Sequence, residues 1–428
     1  MVSSSIFEKK KNAEKESLGP LMALGWFLIF LFGKHPDAPW GDGIGYALAI
    51  RNGYDFATNA NSHFLYLNLA EVFVKILGIQ DTAAFLGFFS AFWAAVSLYI
   101  TYEIGKLVAG QKAGWISLNL LASGFAFWRL ASIPEVYSME LAFFATCLFL
   151  LLRWSSSYER NYFHGFLLVH ALGILVHIHL IVLFPLIGAL FILSKKTPPL
   201  SALFWYMIPL LICIWSVEFL GLNSWSQVLF DSAGTGLLSF QVLRLIQGPF
   251  FVIALLIFMM PAFPLLVFLA GKQRILQLKS APFFWPAVFL LTSFVGFASL
   301  YPDPGIFVFL LPAFLILSLF AGILLAETTQ IKKLLTLIPV FQLACCLSGF
   351  WAFNHFAPDH FLQQQEIKGG SGFLFLPWAR GNIASVLEKS RSIPPDSVPV
   401  GMRWNSAQAL RYDSIRLLDK QAAGESGR

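Results

Sequence analysis

Apolar runs long enough to cross a lipid bilayer recur along the whole chain, and they restrict the fold to membrane architectures. A segment inside the hydrocarbon must satisfy its own backbone hydrogen bonds, so these runs are expected to be helices. Only 12% of the 428 residues are charged, whereas about a quarter are charged in soluble domains. The sequence therefore predicts an all-α polytopic membrane protein.

Short basic clusters separate the apolar runs, as orientation signals do. This distribution accounts for the net charge of +6 and argues against nucleic-acid binding. If every cluster lies in the cytoplasm, the chain crosses the membrane about eleven times, from an uncleaved first span with its N-terminus inside. The predicted spans are 21–32, 83–105, 113–130, 135–152, 163–177, 179–194, 202–220, 249–270, 283–300, 305–325 and 334–352.

Three regions follow from this topology. Residues 1–19 form a basic cytoplasmic N-terminus, residues 20–353 form the transmembrane domain, and residues 354–428 form a tail outside the membrane. The first outer loop, 34–82, contains an apolar stretch at 64–77 that carries three polar or charged residues. That stretch is predicted to be a helix lying on the outer surface rather than crossing.

Two segments need a closer interpretation. Residues 163–194 are interpreted as two short spans that break near His177 and His179, because one crossing would place Lys195 and Lys196 on the outer side. The tail is expected to be a small α/β appendage, with a helix at 383–390 and a strand at 397–402.

Almost all the ionisable residues that orientation does not explain fall on the predicted outer face. Ionisable groups near a membrane are costly and therefore often functional. This set contains a carboxylate that could accept a proton from an attacking hydroxyl and cations that could stabilise a leaving phosphate. Its members are Asp42, Arg51, Arg129, Glu135, Asp231, Arg244 and Asp303, with His63, His177 and His179.

Asp42 is the favoured general base, because it lies between glycines in Trp40-Gly41-Asp42-Gly43, just beyond the first span. The alternative is a solvated loop aspartate or a helix cap. Glu135 follows Pro134, and this pair is typical of the start of a helix, where a carboxylate favours the helix dipole. The functional alternative is a second acid that faces Asp42 and orients the acceptor or binds a metal ion.

The other candidates each have a structural alternative. Arg129, at an outer span end, could snorkel into lipid headgroups or clamp the donor phosphate with its planar guanidinium. His177 and His179 make a weak metal signal by themselves, and they are expected to hydrogen-bond a phosphate or the backbone at the break between spans. Asp303 lies in a proline-rich turn, and Arg244 is a further phosphate candidate in an outer loop.

Three segments resemble the GT-C class of membrane glycosyltransferases, in particular the bacterial protein O-mannosyltransferase-like branch. They are Gly41-Asp42 followed by His63-Phe64-Leu65-Tyr66, then Phe127-Trp128-Arg129 with Glu135-Val136-Tyr137-Ser138-Met139, and finally Asp303 with Val308-Phe309-Leu310-Leu311-Pro312-Ala313. The resemblance implies an inverting transferase that uses a polyprenyl-phosphate sugar, with Asp42 as the base and Glu135 facing the site. The chain departs from the class in having Phe64 after the loop histidine and a single acid in the first loop.

The sequence thus predicts a glycosyltransferase with GT-C-like architecture in the cytoplasmic membrane, with a lipid-linked sugar donor and a glycan, lipid or protein acceptor. Catalysis is assigned to Asp42 and Glu135, no metal ligand is assigned, and a divalent metal cofactor is left open. The predicted substrate-binding residues are Arg129, His63, Tyr137, His177, His179, Arg244 and Asp303.

The main alternative is a transporter or flippase of a lipid-linked or anionic solute, which would need ionisable residues deep in the spans. Glu140, Glu218 and His170 come closest to that requirement. The chain shows no internal repeat, which weighs against transporters built from inverted halves. A non-catalytic assembly factor that binds through its outer tail is a third possibility.

Overall fold

The computed structural model describes residues 18–33, 43–51, 60–183, 204, 206–209, 211, 242–279, 284–300, 306–327, 329–359, 362, 372 and 375–378. Within these ranges nearly every residue is helical and no strand occurs. The predicted all-α class is confirmed for this part of the chain. The tail helix at 383–390 and strand at 397–402 lie outside it.

Among the described residues, thirteen α-helices and two short 3₁₀ helices have defined bounds. The α-helices are α1 Leu18–Gly33, α2 Gly43–Arg51, α3 Ala60–Leu77, α4 Thr82–Ala109, α5 Gln111–Ser123, α6 Phe125–Ala131, α7 Tyr137–Ser157, α8 Arg160–Val176, α9 Val242–Met259, α10 Ala262–Lys279, α11 Phe284–Leu300, α12 Leu311–Leu325 and α13 Ile331–Phe356. The 3₁₀ helices are Ile178–Leu183 and Ile306–Leu310.

Four stretches in this part of the chain are long and apolar enough to cross a membrane, namely α4, α7, α13 and Phe307–Leu325. Helices α1 and α11 are apolar but shorter. An integral membrane protein is therefore confirmed, whereas the total of eleven spans stays a prediction.

Two predicted single spans are broken in the structure. The stretch predicted at 249–270 consists of α9 and α10, which meet at an angle of 91°. Pro261 lies at the bend and cannot continue the helix, because it lacks the backbone N–H and clashes with the preceding turn. The stretch predicted at 113–130 is divided at Gly124 into α5 and the short helix α6.

Helices α4, α5, α7 and α12 form the centre of the bundle. Small residues allow these helices to approach closely, as is usual between helices in membranes. A Cβ atom on Gly322 of α12 would lie 2.5 Å from the backbone oxygen of Ala113 in α5, and one on Gly114 would lie 2.5 Å from the oxygen of Tyr102 in α4. Helix α13 instead exposes an apolar face suited to lipid.

The segment that follows α8 and the helix α3 position the candidate site. Helix α8 ends at Val176, His177 is extended with φ −156°, and a 3₁₀ helix follows. The helix therefore breaks near His177, as the sequence predicts. Helix α3 includes the predicted 64–77 helix and has a kink at His63. It buries one face and exposes Phe73 and Ile76, as a helix at a membrane surface would; its place on the outer surface stays a prediction.

Candidate functional site

The turn between α6 and α7 holds Glu135 in a fixed position. The Ser90 hydroxyl of α4 donates a hydrogen bond to the Glu135 carbonyl oxygen and accepts one from the Glu135 N–H, both at 3.0 Å. Glu135 is buried. The helix that was expected to begin at Pro134 begins instead at Tyr137, so Glu135 precedes the helix and Glu140 is the acidic residue in its first turn.

Tyr66 of α3 lies beside Glu135. Burial raises the pKa of the Tyr66 phenol, the side chain of Ser90 partly offsets this rise, and the negative charge of Glu135 adds to it. The Tyr66 hydroxyl is therefore protonated at neutral pH and is available as a hydrogen-bond donor. Ser90 thus interacts with both Tyr66 and Glu135, so the helix of the first outer loop lies near the turn that carries Glu135.

Gly43, the first residue of α2, packs directly on the same turn. A Cβ atom built on Gly43 would lie 2.1 Å from the Pro134 carbonyl oxygen, which is closer than real Cβ atoms come to another atom. Only glycine allows this approach, because any side chain would push α2 away from the turn. Asp42 is the residue bonded to Gly43, and it lies outside the described residues.

Replacing Gly43 with alanine is therefore expected to displace α2, to lower stability by about 1–3 kcal/mol and to reduce activity. Thermal unfolding in detergent would measure the first effect. Gly45→Ala is the matched control, since no atom lies within 4 Å of a Cβ on Gly45 in the same helix. Equal effects of the two substitutions would show that the Gly43–Pro134 contact does not position α2.

Three buried side chains from two segments converge next to this turn. Glu140 lies in the first turn of α7, and His177 and His179 belong to the segment after α8. Nδ1 of His179 lies 2.8 Å from Oε1 of Glu140, and Nδ1 of His177 lies 3.7 Å from Oε2. One ligand atom from each residue lies within 4.8 Å of the others, so the group could hold a metal ion. We call these residues the Glu140 cluster.

Aromatic rings enclose the Glu140 cluster. The His179 ring lies 5.0 Å from Phe294, 4.7 Å from Phe297 and 5.4 Å from Phe309, measured between ring centroids. The His177 ring lies 5.5 Å from the ring of Tyr137. A buried carboxylate in such surroundings requires hydrogen-bond donors or a cation.

Further ring contacts connect the Glu140 cluster to the Glu135 turn. His63 stacks on His177 with ring centroids 5.1 Å apart. Tyr46 of α2 lies 5.4 Å from the His63 ring and 5.6 Å from the Tyr66 ring. Helices α2, α3 and α7 and the segment after α8 thus contribute to one continuous site.

Arg129 is buried in α6 rather than exposed at a lipid-facing surface, which argues against the snorkelling interpretation. Its Nη1 donates to the backbone oxygen of Leu376 at 3.4 Å. The neighbouring Trp128 ring packs on Trp378, with centroids 5.4 Å apart. Part of the predicted outer tail therefore lies against α6.

The structure brings together four predicted substrate-binding residues, His63, Tyr137, His177 and His179. Asp42 and Asp303 lie outside the described residues, as does the side chain of Arg244, whose backbone belongs to α9.

Comparison with solved structures shows which known fold the chain shares. The structure superposes on ArnT from Cupriavidus metallidurans bound to undecaprenyl phosphate with a TM-score of 0.60 and 12% identity, over 96% of this chain and 77% of that one. The apo state of the same protein gives a TM-score of 0.59 and 14% identity, over 97% and 78% of the two chains. The chain has the fold of ArnT.

ArnT is a glycosyltransferase of the GT-C class, so the GT-C-like architecture expected from the sequence is supported, whereas the O-mannosyltransferase-like branch stays a prediction. An oligosaccharyltransferase from Archaeoglobus fulgidus is more distant, with a TM-score of 0.45 and 14% identity over 90% of this chain and 56% of that one. No protein-family model matches the sequence, and no curated protein matches it.

Sequence reasoning did not assign Glu140, Tyr46 or Tyr66 to the site. The available signal for Glu140 was a carboxylate in the first turn of a span together with a His-x-His break elsewhere in the chain. From the sequence, Glu140 fits only the transporter alternative. His170, considered with it, is a buried core histidine whose Nε2 lies 3.0 Å from the Leu180 carbonyl oxygen.

Proposed function

We propose that the protein is a glycosyltransferase that moves one sugar from a polyprenyl-phosphate donor to an acceptor hydroxyl. The observation that carries this proposal is the fold shared with ArnT over nearly the whole chain, in a protein whose structure contains undecaprenyl phosphate. The acceptor would be a glycan, lipid or protein. The site would face outward from the cytoplasmic membrane, with the N-terminus inside.

In the proposed reaction the acceptor oxygen attacks the anomeric carbon of the sugar as the bond from that carbon to the phosphate oxygen breaks. The proton of the acceptor hydroxyl passes to the carboxylate of Asp42. Polyprenyl phosphate leaves with the bonding electron pair, and the anomeric configuration is inverted.

The packing of Gly43 on Pro134 supports a joint role for Asp42 and Glu135. In the sequence, Asp42 is bonded to Gly43 and Glu135 is bonded to Pro134. In the proposal, Asp42 accepts the proton, and Glu135 orients the acceptor.

Arg129 is proposed to stabilise the phosphate that leaves, since a buried guanidinium interacts strongly with a developing negative charge. His63, Tyr137, His177 and His179 would line the donor end of the site. Arg244 and Asp303 remain predicted substrate-binding residues without described side chains.

A transporter or flippase of a lipid-linked solute is the second candidate. The Glu140 cluster favours it, because buried ionisable residues inside a helix bundle often mark a pathway for ions or solutes. A flippase would move the lipid across the membrane without forming a new glycosidic bond.

One experiment distinguishes the glycosyltransferase from the flippase. Vesicles holding the wild-type protein would receive a panel of labelled polyprenyl-phosphate sugars, with native extract as acceptor. Labelled product together with released polyprenyl phosphate is the expected result. Movement of an intact labelled lipid to the other leaflet, without product, would contradict the transferase and support the flippase.

A further inference from the structure

We propose that the Glu140 cluster binds a zinc ion, which ties the segment after α8 to the first turn of α7. Nothing in the transfer reaction proposed above requires this ion. The inference rests on the geometry and chemistry of Glu140, His177 and His179.

The spacing of the three side chains fits zinc. Zinc bonds to nitrogen and oxygen of about 2.0–2.2 Å in a tetrahedron place the ligand atoms about 3.3–3.5 Å apart. The two distances from Glu140 oxygens to histidine nitrogens, 2.8 Å and 3.7 Å, lie on either side of that value. All three ligand atoms lie within 4.8 Å of one another, so side-chain movement could bring them to one ion.

The cluster contains more hydrogen-bond acceptor atoms than N–H groups that could donate to them. A neutral histidine carries one N–H and one lone pair. Where the three side chains meet, only Nδ1 of His179 is placed to supply a proton, which it would donate to Oε1 of Glu140 at 2.8 Å. Nδ1 of His177 is also an acceptor, since it receives the backbone N–H of His179 at 3.2 Å.

A cation would interact with all of these acceptor atoms, whereas the available N–H groups cannot. Zinc bound by Nδ1 of each ring and by one Glu140 oxygen would lie among these acceptor atoms. Coordination by Nδ1 of His177 would replace only the long bond from the His179 N–H.

The donor set and its surroundings favour zinc over harder metals. Two histidines and one glutamate form a known zinc-binding combination that leaves a fourth position open. Magnesium and manganese prefer oxygen ligands and retain water. The rings of Phe294, Phe297 and Phe309 around His179 leave little place for water-rich coordination.

The test is the metal content of the full-length protein, purified in detergent without chelators and without a polyhistidine tag. We expect about one zinc ion per chain, as in other three-ligand sites, and loss of zinc to background in Glu140→Gln and His179→Gln. His355→Gln is the control, because His355 is exposed at the end of α13, and it should retain the wild-type zinc content.

If the variants do not fold, Co²⁺ added to metal-depleted wild-type protein tests for the site. Bound tetrahedral Co²⁺ should give its characteristic visible absorption, and added zinc should displace it and abolish that absorption. Wild-type protein that neither contains zinc nor takes up Co²⁺ would overturn the proposal, as would full zinc content in folded Glu140→Gln. Neither measurement uses a sugar donor, so failure of the zinc site and failure of the transferase proposal are distinguishable.

Discussion

Replacing Asp42 with asparagine is expected to lower sugar transfer by about 10²–10⁴-fold, the usual contribution of a general base. Asparagine preserves the size of the side chain and can still hydrogen-bond to the acceptor, but its amide cannot take the proton. The turnover number should therefore fall while the KM for the donor changes little. Initial rates in membranes with matched protein amounts, measured over a range of donor concentrations, would show this pattern.

Asp37→Asn provides the matched control, because Asp37 lies in the same predicted loop five positions earlier. A loop aspartate that is merely solvated should tolerate the change, so this variant should transfer sugar at the wild-type rate. Full activity of Asp42→Asn would remove Asp42 from the mechanism and make Glu135 the leading candidate for the base. Equal losses in both variants would indicate that the loop needs its negative charge rather than one proton acceptor.

The architecture could be predicted from the sequence because hydropathy acts locally. An apolar run near the length of the hydrocarbon core must be helical wherever it is placed. The predicted spans 83–105, 135–152 and 334–352 accordingly coincide with α4, α7 and α13 within a few residues.

Breaks within an apolar run were harder to predict. Averaging hydropathy over 249–270 conceals Pro261, although a proline in the middle of a helix is itself a local signal for a kink. Gly124 divides α5 from α6 in the same way, and it is also surrounded by apolar residues. The break at His177 was predictable because the charges on either side required an even number of crossings.

Which side chains meet across the bundle could not be predicted from local patterns. Glu140 and His179 are 39 positions apart, and their 2.8 Å contact depends on how α7 packs on α8. Tyr46 and Tyr66 likewise meet because α2 and α3 pack together. The resemblance to GT-C proteins indicated the first outer loop and the turn before α7, but it did not predict the Glu140 cluster.

Replacing Arg129 with glutamine is expected to lower kcat/KM for the donor by about 10²–10³-fold, comparable to the loss of a group that stabilises developing charge. Arg129→Lys should retain part of the activity, because lysine keeps the positive charge but not the planar fork that binds two phosphate oxygens. Initial rates with a polyprenyl-phosphate sugar, on protein that elutes as wild type in size-exclusion chromatography, would provide the comparison.

A purely structural role for Arg129 makes a different prediction, since its guanidinium also donates to Leu376 and could simply anchor the tail. Trp378→Ala tests that role, because it removes the ring that packs on Trp128 and leaves the charge of Arg129 in place. If Arg129 binds phosphate, Trp378→Ala should retain most of the wild-type activity. The kcat/KM of Arg129→Lys should then be higher than that of Arg129→Gln. If Trp378→Ala loses as much activity as Arg129→Gln, the arginine acts by holding the tail against α6, and the phosphate must be bound elsewhere.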